Sequence, residues 1–431
     1  MSDAAATPDQ VENFEAEANA APVAKTNRLA NLDFIRGIAV LGILAANIVF
    51  FGQPQLAYMW PEAFVSDAGD PDRWMWIAQF VLVDGKMRGL FTILFGVGLV
   101  LFIEKAWEKG SGKGLLARRL VVLLGFGLIH YFFIWRGDIL TLYALAGLVA
   151  LIFLRWEARN LLVLGFLGYL VGGLLWVIMN LIPLVAIAPG AADDPKLGPM
   201  VGKMDTQKGE LIGDKATETA IHTTGSWPDF VAHNFTEHWT EPFFNAPFMI
   251  VFETLPLILI GMGFFRAGLF SGGFARRKQL LWGWAGIVGG SILTLALAVP
   301  VANTGPSFWM SMTAFTSFLH YPKFPVILGL TAVLAIYGAQ ARGWLAERLS
   351  AAGRAAFTNY LGTSVLMMLF FHPWAGGLWG ELSRPELYLV VALGWAVMLA
   401  WSKPWLEKYR YGPLEWLWRC LTYGKRFSMR R

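Results

Sequence analysis

The chain has 431 residues and a formal net charge of +5; 56% of its residues are hydrophobic and only 15% are charged. A soluble domain is about a quarter charged, so this chain has too little charge to cover the surface of a soluble protein of its size. The composition excludes a disordered protein and an ordinary soluble enzyme, and it predicts an all-α, polytopic transmembrane helical bundle. A lone cysteine, Cys420, excludes an internal disulfide. The excess of Lys and Arg does not indicate nucleic-acid binding, because it is typical of the cytoplasmic loops of membrane proteins.

Residues 1–27 form an Ala-rich, polar segment, which we expect to be a disordered cytoplasmic tail. Beyond it, apolar stretches of the length that crosses a bilayer, about 20 residues, recur along the chain. We predict about ten spans, at residues 34–52, 86–103, 118–136, 138–154, 160–188, 247–270, 280–301, 322–340, 355–372 and 385–402. Residues 74–84 are too few to span, and we expect an interfacial or re-entrant helix there.

The basic residues predict how the spans are oriented. If the N-terminus is cytoplasmic and the spans alternate, 25 of the 35 Lys and Arg residues fall on the cytoplasmic side, in agreement with the positive-inside rule. We therefore expect both termini of the bundle 28–402 in the cytoplasm and the polar loop 189–246 outside. Within that loop, residues 226–245 are expected to form an interfacial helix. The basic, amphipathic tail 403–431 is expected along the anionic inner leaflet.

Polar residues inside spans are the candidates for function, because burying them in lipid is costly. In the first span, Asp33 and Arg36 stand three residues apart on one helix face, where they can pair. Asn47 lies roughly 16 Å further along the axis at the helical rise and needs a hydrogen-bond partner there. The alternative interpretation is a packing role, with an ion pair at the helix start and an interhelical asparagine.

A tight hairpin between the third and fourth predicted spans brings His130 and Asp138 close together in the sequence. Histidine is the usual proton carrier near neutral pH, and a neighbouring carboxylate can orient it and favour its charged form. We therefore predict that His130 acts as a general base oriented by Asp138. A histidine that only packs between helices is the alternative.

Besides Asp33 and Arg36, four further residues are candidates for binding a substrate. Arg88 stands close to the apolar run of the second span and suits an anion, whereas Lys86 beside it is expected to snorkel to the interface. Glu253 lies in the outer third of the sixth span, with His130 or Arg88 as its expected partner. Asn359 and Tyr360 occupy the inner half of the ninth span.

Other histidines and acidic residues are expected to have no catalytic role. His320, Lys323 and His372 lie near span ends, where water is available. In the outer loop, His233 and His238 are five residues apart rather than at the spacing of four found on metal-binding helices. We expect a solvated amphipathic face there and predict no metal site.

Several segments of the chain resemble one family of membrane proteins. The segments are LDFIRGIAVLGILAANI, MRGLFTILFGVGL, HYFFIWRGDILTLYALAGL, GRAAFTNYLGTS and YRYGPLEWLWRCLTYGKR. They are similar to YeiB-like membrane proteins, whose C-terminal domain is domain of unknown function 418. The resemblance extends over residues 28–428.

The resemblance implies an activity. YeiB-like proteins are grouped with transmembrane acyltransferases, among them heparan-α-glucosaminide N-acetyltransferase and the acyltransferase-3 enzymes, which also begin their first span with D-x-x-R-G. Asp33, Arg36 and Gly37 match that motif. Where acyltransferase-3 enzymes have a functional histidine this chain has Asn47, and where the glucosaminide enzyme has its catalytic histidine this chain has Tyr58. His130 is our candidate for the missing base.

These observations leave three hypotheses. The first is an acyltransferase of the bacterial cytoplasmic (inner) membrane that moves an acyl group from cytoplasmic acyl-CoA, a co-substrate rather than a tightly bound cofactor, to an envelope sugar, lipid or small molecule. His130, Asp138 and Asn47 would be catalytic in it. The second is a transporter of a small molecule or anion that uses the same buried polar residues. The third is a non-catalytic membrane partner or sensor. All three hypotheses place the chain in a lipid bilayer, and each is compatible with a homo-oligomer.

Overall fold

The computed structural model describes residues 25–65, 72–186, 188–244, 246–303 and 307–431. Over these residues the regular secondary structure is helical, with no strand, so the predicted all-α fold is confirmed. The predicted N-terminal tail lies outside the described residues as far as residue 24, and the first helix begins at Lys25.

Seven helices form the first part of the bundle. They are α1 (Lys25–Gly52), α2 (Gln55–Met59), α3 (Arg73–Leu82), α4 (Lys86–Glu108), α5 (Lys113–Phe133), α6 (Leu140–Ala150) and α7 (Ala158–Met179). Helix α3 corresponds to the short segment predicted at 74–84. Gly85 separates α3 from α4 at a φ of 71°, a left-handed conformation that glycine adopts without steric cost.

The next part of the chain, residues 188–244, is called the linker segment here. Helix α8 (Leu181–Ala186) leads into it, and it contains α9 (Gly198–Thr224), α10 (Trp227–Thr236) and α11 (Glu241–Phe244). The expected helix over 226–245 is present in two pieces. Its start is fixed by a capping box between Ser226 and Asp229. Helix α9, with 27 residues, was not predicted because its polar sequence has no long apolar run.

Nine helices follow the linker segment. They are α12 (Ala246–Met249), α13 (Leu255–Arg266), α14 (Arg276–Asn303), α15 (Phe308–Thr313), α16 (His320–Gln340), α17 (Trp344–Arg354), α18 (Ala356–Phe371), α19 (Arg384–Lys408) and α20 (Pro413–Tyr423). Two π-helical turns, Ile250–Thr254 and Ala314–Phe318, precede α13 and α16. Such turns are rare and occur frequently at functional sites.

Among the described residues, eight helical stretches are long and apolar enough to cross a membrane. They are Asn31–Gly52, Arg73–Glu108, Lys113–Phe133, Ala158–Leu184, Glu241–Arg266, Arg276–Asn303, His320–Gln340 and Arg384–Lys408. Two further apolar helices, Leu140–Phe153 and Ala356–Phe371, are shorter. Each of the ten predicted spans therefore coincides with an apolar helix, and eight of these meet the length of a full crossing.

Helix α1 lies at the centre of the bundle and packs against α4, α16, α17, α18 and α19. Its closest approach is to α17. A Cβ atom on Gly37 would lie 2.0 Å from the Leu349 carbonyl oxygen, and one on Gly353 would lie 1.7 Å from the Asp33 carbonyl oxygen. Small residues of this kind let membrane helices pack at short range. Helices α7 and α14 are peripheral and leave most of their apolar surface uncovered.

Candidate functional site

The predicted pair of His130 and Asp138 joins the end of α5 to the turn before α6. His130 Nδ1 lies 2.8 Å from Asp138 Oδ1, and both side chains are fully buried. Asp138 Oδ2 accepts the backbone N–H of Thr141 at 2.7 Å, which holds the carboxylate at the start of α6. His130 Nε2 is buried without a hydrogen-bond partner among the described residues, an uncommon state for a buried polar atom. The imidazole is thus oriented through one nitrogen and has the other free.

Two aromatic rings cover the His130 imidazole. The ring centroids of Tyr360 and Trp135 lie 5.2 Å and 6.0 Å from that of His130. The Tyr360 hydroxyl accepts the backbone N–H of Ile139 at 3.2 Å. Tyr360, which we expected with Asn359 in the inner half of the ninth span, therefore belongs to the His130 site. Tyr360 and Asn359 contact different parts of the bundle because consecutive residues of a helix point in different directions.

Asn47 lies next to the same two rings. Together with Tyr360 and Trp135 it lines a crevice of about 10 Å³, which is called the Asn47 crevice here and is at the lower limit for one water molecule. The hydrogen-bond partner that we expected for the Asn47 amide is not found among the described residues. Its polar atoms are therefore available to a molecule that enters the crevice.

Two more cavities continue from this crevice. The middle cavity, of about 20 Å³, shares Phe51 and Trp135 with the Asn47 crevice. The linker cavity, of about 490 Å³, shares Arg136 and Glu218 with the middle cavity. The Arg136 guanidinium and the Glu218 carboxylate form an ion pair at 3.0 Å between the two. The three cavities thus lie in series, with a stacked aromatic pair at one junction and an ion pair at the other.

Histidines of the linker segment line the linker cavity in an ordered arrangement. His233 Nε2 lies 3.2 Å from His238 Nε2, and His238 Nδ1 lies 2.7 Å from Glu241 Oε1. The second Glu241 oxygen accepts the Tyr131 hydroxyl at 2.8 Å, which ties the linker segment to α5. The expected solvated face is therefore a hydrogen-bonded cavity wall. Among the described residues, no three His, Cys, Asp or Glu side chains are arranged to hold a metal ion.

His222 lines the middle cavity from α9. Its ring lies 4.8 Å from that of His372 and stacks on Trp379 at 4.9 Å between centroids. Its Nδ1 lies 2.8 Å from the Glu218 backbone carbonyl oxygen. Burial lowers the pKa of His222 to about 3, because the charged imidazole would lose its hydration. This ring is consequently neutral at physiological pH.

Arg88 and Glu253, both predicted for substrate binding, lie in a separate cluster. Glu253 Oε1 is 2.8 Å from Arg88 Nη2 and 2.9 Å from Lys323 Nζ. Glu253 stands on the π-helical turn before α13, and the side chains of Glu253 and Lys323 are each 7% exposed. Of the two expected partners of Glu253, Arg88 is the one observed. Lys323 was predicted to be near water, and it is a buried member of the cluster.

The prediction that Lys86 snorkels to the interface is wrong. Lys86 is fully buried and its ammonium donates to the Phe80 carbonyl oxygen. Nearby, buried Asp84 accepts the Gln79 amide at 3.1 Å, and Gln79 accepts the Arg384 guanidinium at 2.7 Å. This polar network was not predicted. The sequence carries one signal for it, because Asp84 and Lys86 flank a glycine directly before an apolar helix.

The remaining predicted residues lie near the start of α1 and on a different face of α18 from Tyr360. Arg36 Nη1 donates to Asp33 Oδ1 at 2.9 Å, as the spacing indicated. Asn359 donates to the Ala352 carbonyl oxygen at 3.0 Å and to Ser402 Oγ at 3.1 Å. The Asn359 amide is therefore satisfied within the bundle and contributes to helix packing. The structure thus brings together His130, Asp138, Tyr360 and Asn47, whereas the other predicted residues belong to two other places.

Comparison with known proteins gives a family model and bacterial relatives. Residues 264–425 match the model of a protein of unknown function, DUF418. The chain is 28% identical over 93% of its length to the uncharacterized protein YxaH of Bacillus subtilis (strain 168), of which 96% is covered. It is 28% identical over 92% of its length to the uncharacterized protein YeiB of Escherichia coli (strain K12), again with 96% covered.

A third relative has the same extent of similarity. The chain is 29% identical over 95% of its length to an uncharacterized 39.9 kDa protein in the amylase 3′ region of Bacillus acidopullulyticus, of which 97% is covered. No solved structure matches the chain significantly. The family model and the relatives support the resemblance to YeiB-like proteins and, with the apolar helices, indicate a bacterial multi-pass membrane protein.

Proposed function

We propose that the protein is an acyltransferase of the bacterial cytoplasmic membrane that moves an acyl group from cytoplasmic acyl-CoA to an acceptor on the outer side. The observation that carries the proposal is the buried His130, which has Asp138 on one nitrogen and no partner on the other. An imidazole held in this way suits proton transfer better than packing. Arg88 and Glu253 are left out of the catalytic set because they pair with each other.

In the proposed topology all ten apolar helices cross the membrane, and both termini are cytoplasmic. The distribution of Lys and Arg supports this orientation. It assigns the Asp33–Arg36 pair to the cytoplasmic side and the linker segment to the outer side. The two short helices, Leu140–Phe153 and Ala356–Phe371, would cross with the help of their flanking residues. Arg36 at the inner end would then meet the acyl donor.

The proposed reaction uses His130 as a base and then as an acid. His130 Nε2 removes the proton from the acceptor hydroxyl or amine, whose oxygen or nitrogen bonds to the thioester carbonyl carbon. The carbon–sulfur bond breaks, and the leaving thiolate takes the proton back from the imidazolium. Asp138 holds the ring and stabilises its charged form, while the Asn47 amide donates to the oxyanion. Because the Asn47 crevice is so small, the reaction requires the surrounding aromatic rings to move.

The proposal is tested by label transfer. The purified full-length protein is incubated with radiolabelled acyl-CoA and envelope extract, and transfer to extract components is measured. Substitution His130→Gln is expected to abolish transfer, and Asp138→Asn to reduce it by about 10²-fold or more. His320→Gln serves as the matched control, because His320 is also buried but lies beside Tyr169. Equal transfer by His130→Gln and wild type, with both proteins folded, contradicts the proposal.

A second function, transport of a small anion, is favoured by the cluster at Glu253. Two cations, Arg88 and Lys323, share one carboxylate there, so the cluster has an excess positive charge in an apolar region. An intramembrane charge of this kind is typical of ion and substrate pathways. Uptake of labelled anions into proteoliposomes, lost in Lys323→Met and unaffected by His130→Gln, would favour transport over acyl transfer.

A further inference from the structure

The linker cavity has the size of a small-molecule site. Its volume of about 490 Å³ falls within the range of about 300–1,000 Å³ that ligand pockets occupy. Its walls come from α2, from the hairpin after α5, from α9, from the end of α10 with the residues that follow it, and from α15. One side of the cavity therefore belongs to the bundle and the other to the linker segment.

Most of the residues that line this cavity are polar or charged. Of its 14 lining residues, only Leu56, Met59, Leu211 and Met312 are apolar. An acyl chain seated here would remove water from many polar groups without replacing their hydrogen bonds, which is unfavourable. The ten polar or charged residues of this wall favour a water-soluble ligand over a lipid tail.

The charged residues of the wall favour a ligand of one charge. Four carboxylates line the cavity, from Asp214, Glu218, Glu237 and Glu241, against two cations, Arg136 and Lys215. Glu218 is neutralised by Arg136 at 3.0 Å. With neutral histidines the wall retains an excess of two negative charges, which attracts a positively charged group.

The histidine pair adds a hydrogen-bond acceptor to this wall. When His238 donates from Nδ1 to Glu241, its neutral ring has an acceptor at Nε2, and His233 must donate to it across the 3.2 Å contact. The neutral His233 ring then has its own Nδ1 as an acceptor. Burial and the neighbouring His238 lower the pKa of His233, in keeping with a neutral ring.

We propose that the linker cavity binds a water-soluble ligand that carries at least one ammonium group. If acyl transfer is the activity, this ligand is the acceptor, and that assignment alone rests on the proposed function. Arg136 and Glu218 line both this cavity and the middle cavity, and Trp135 connects the middle cavity to the His130 site. The middle cavity, next to the linker cavity, is therefore separated from His130 by the Trp135 ring, and His130 itself lines none of the three cavities.

The test compares two probes of one length on the purified full-length protein. Calorimetry is expected to show binding of 1,5-diaminopentane and binding at least tenfold weaker, or none, of the neutral 1,5-pentanediol. The double substitution Asp214→Asn with Glu237→Gln is expected to weaken diamine binding at least tenfold. The matched control, Asp205→Asn with Glu210→Gln, removes two exposed carboxylates of α9, the helix that carries Asp214, outside the cavity and should leave binding unchanged.

The proposal fails if the diol binds as tightly as the diamine, or if the control and the cavity variant bind the diamine alike. The comparison of probes needs no variant, so it stands even if the cavity variant does not fold. Binding is measured without an acyl donor. Diamine binding without label transfer would therefore contradict the acyltransferase alone, whereas label transfer without diamine binding would contradict this site alone.

Discussion

Phe51 and Trp135 stack with their ring centroids 4.0 Å apart and their planes 23° from parallel. Both side chains line the Asn47 crevice on one side and the middle cavity on the other. The stack therefore forms the partition between the site that holds Asn47 and the path toward the linker cavity.

Removing one ring of this partition is expected to open the Asn47 crevice. In a Cys420→Ser background, an Asn47→Cys probe should react slowly with a small membrane-impermeant maleimide added from the outer side. Trp135→Leu replaces the indole ring with a smaller apolar side chain. We expect Asn47→Cys to be labelled at least tenfold faster in this variant than with Trp135 in place. Trp282→Leu is the control, because Trp282 is 74% exposed on the peripheral α14. Equal labelling rates in the two tryptophan variants would contradict the partition.

The cluster at Glu253 predicts an unequal response to two neutralising substitutions. Glu253→Gln leaves the buried Lys323 cation and the partly exposed Arg88 cation without a counter-charge. Loss of one partner of a buried ion pair typically reduces the free energy of unfolding by about 3–5 kcal/mol. Lys323→Met keeps the pair of Arg88 with Glu253 and removes the excess positive charge. We expect a much smaller loss, under about 1.5 kcal/mol.

Thermal unfolding in one detergent measures both variants of the Glu253 cluster. The midpoint of Glu253→Gln should fall well below that of Lys323→Met. If Lys323→Met unfolds at a lower temperature than Glu253→Gln, Lys323 is not the group in excess in this cluster.

The sequence predicts local features of this fold well, because they depend on spacing along one helix or one turn. The pairs of Asp33 with Arg36 and of His130 with Asp138 are of this kind, and both are observed. The apolar segments likewise predict helices wherever they occur.

Contacts between distant segments could not be predicted. Lys323 lies 70 residues from Glu253, and Arg384 lies 305 residues from Gln79. Such pairs depend on which helices are neighbours and how each is rotated, and neither property follows from the periodicity of one apolar helix. The polar α9 has no apolar run at all, and so the linker cavity that it helps to form was not foreseen.

Acidification is expected to destabilise the protein through His222. Because burial lowers the pKa of His222 to about 3 in the folded state, the unfolded chain binds a proton between about pH 6.5 and 3 that the folded chain does not. The free energy of unfolding therefore falls as pH drops below 6.5, by about 2 kcal/mol at pH 5. The charged or titratable neighbours of this ring are Arg136, Glu218, His233 and His372. The Arg136 cation opposes protonation of His222 further.

Thermal unfolding at pH 7.5 and pH 5 measures this effect. The substitution His222→Gln removes the titrating group and should make the midpoint less dependent on pH, even if it lowers stability at both values. An unchanged pH dependence in His222→Gln would contradict the assignment to this histidine.

The contact between α20 and α18 predicts that the C-terminal helix stabilises the bundle through one carboxylate. Glu415 Oε1 accepts the backbone N–H groups of Phe357 and Thr358 at 2.8 Å and 3.0 Å, and Oε2 accepts the Thr358 hydroxyl at 2.5 Å. Glu415→Ala should therefore lower the free energy of unfolding by about 1–2 kcal/mol, as for a lost helix cap. Burial raises the pKa of Glu415, so its ionised form is penalised, and Glu415→Gln, which keeps an acceptor oxygen and carries no charge, should lose less. Thermal unfolding measures both variants against Glu407→Ala, whose side chain is 63% exposed; if Glu415→Ala unfolds at the same temperature as that control, the cap contributes nothing.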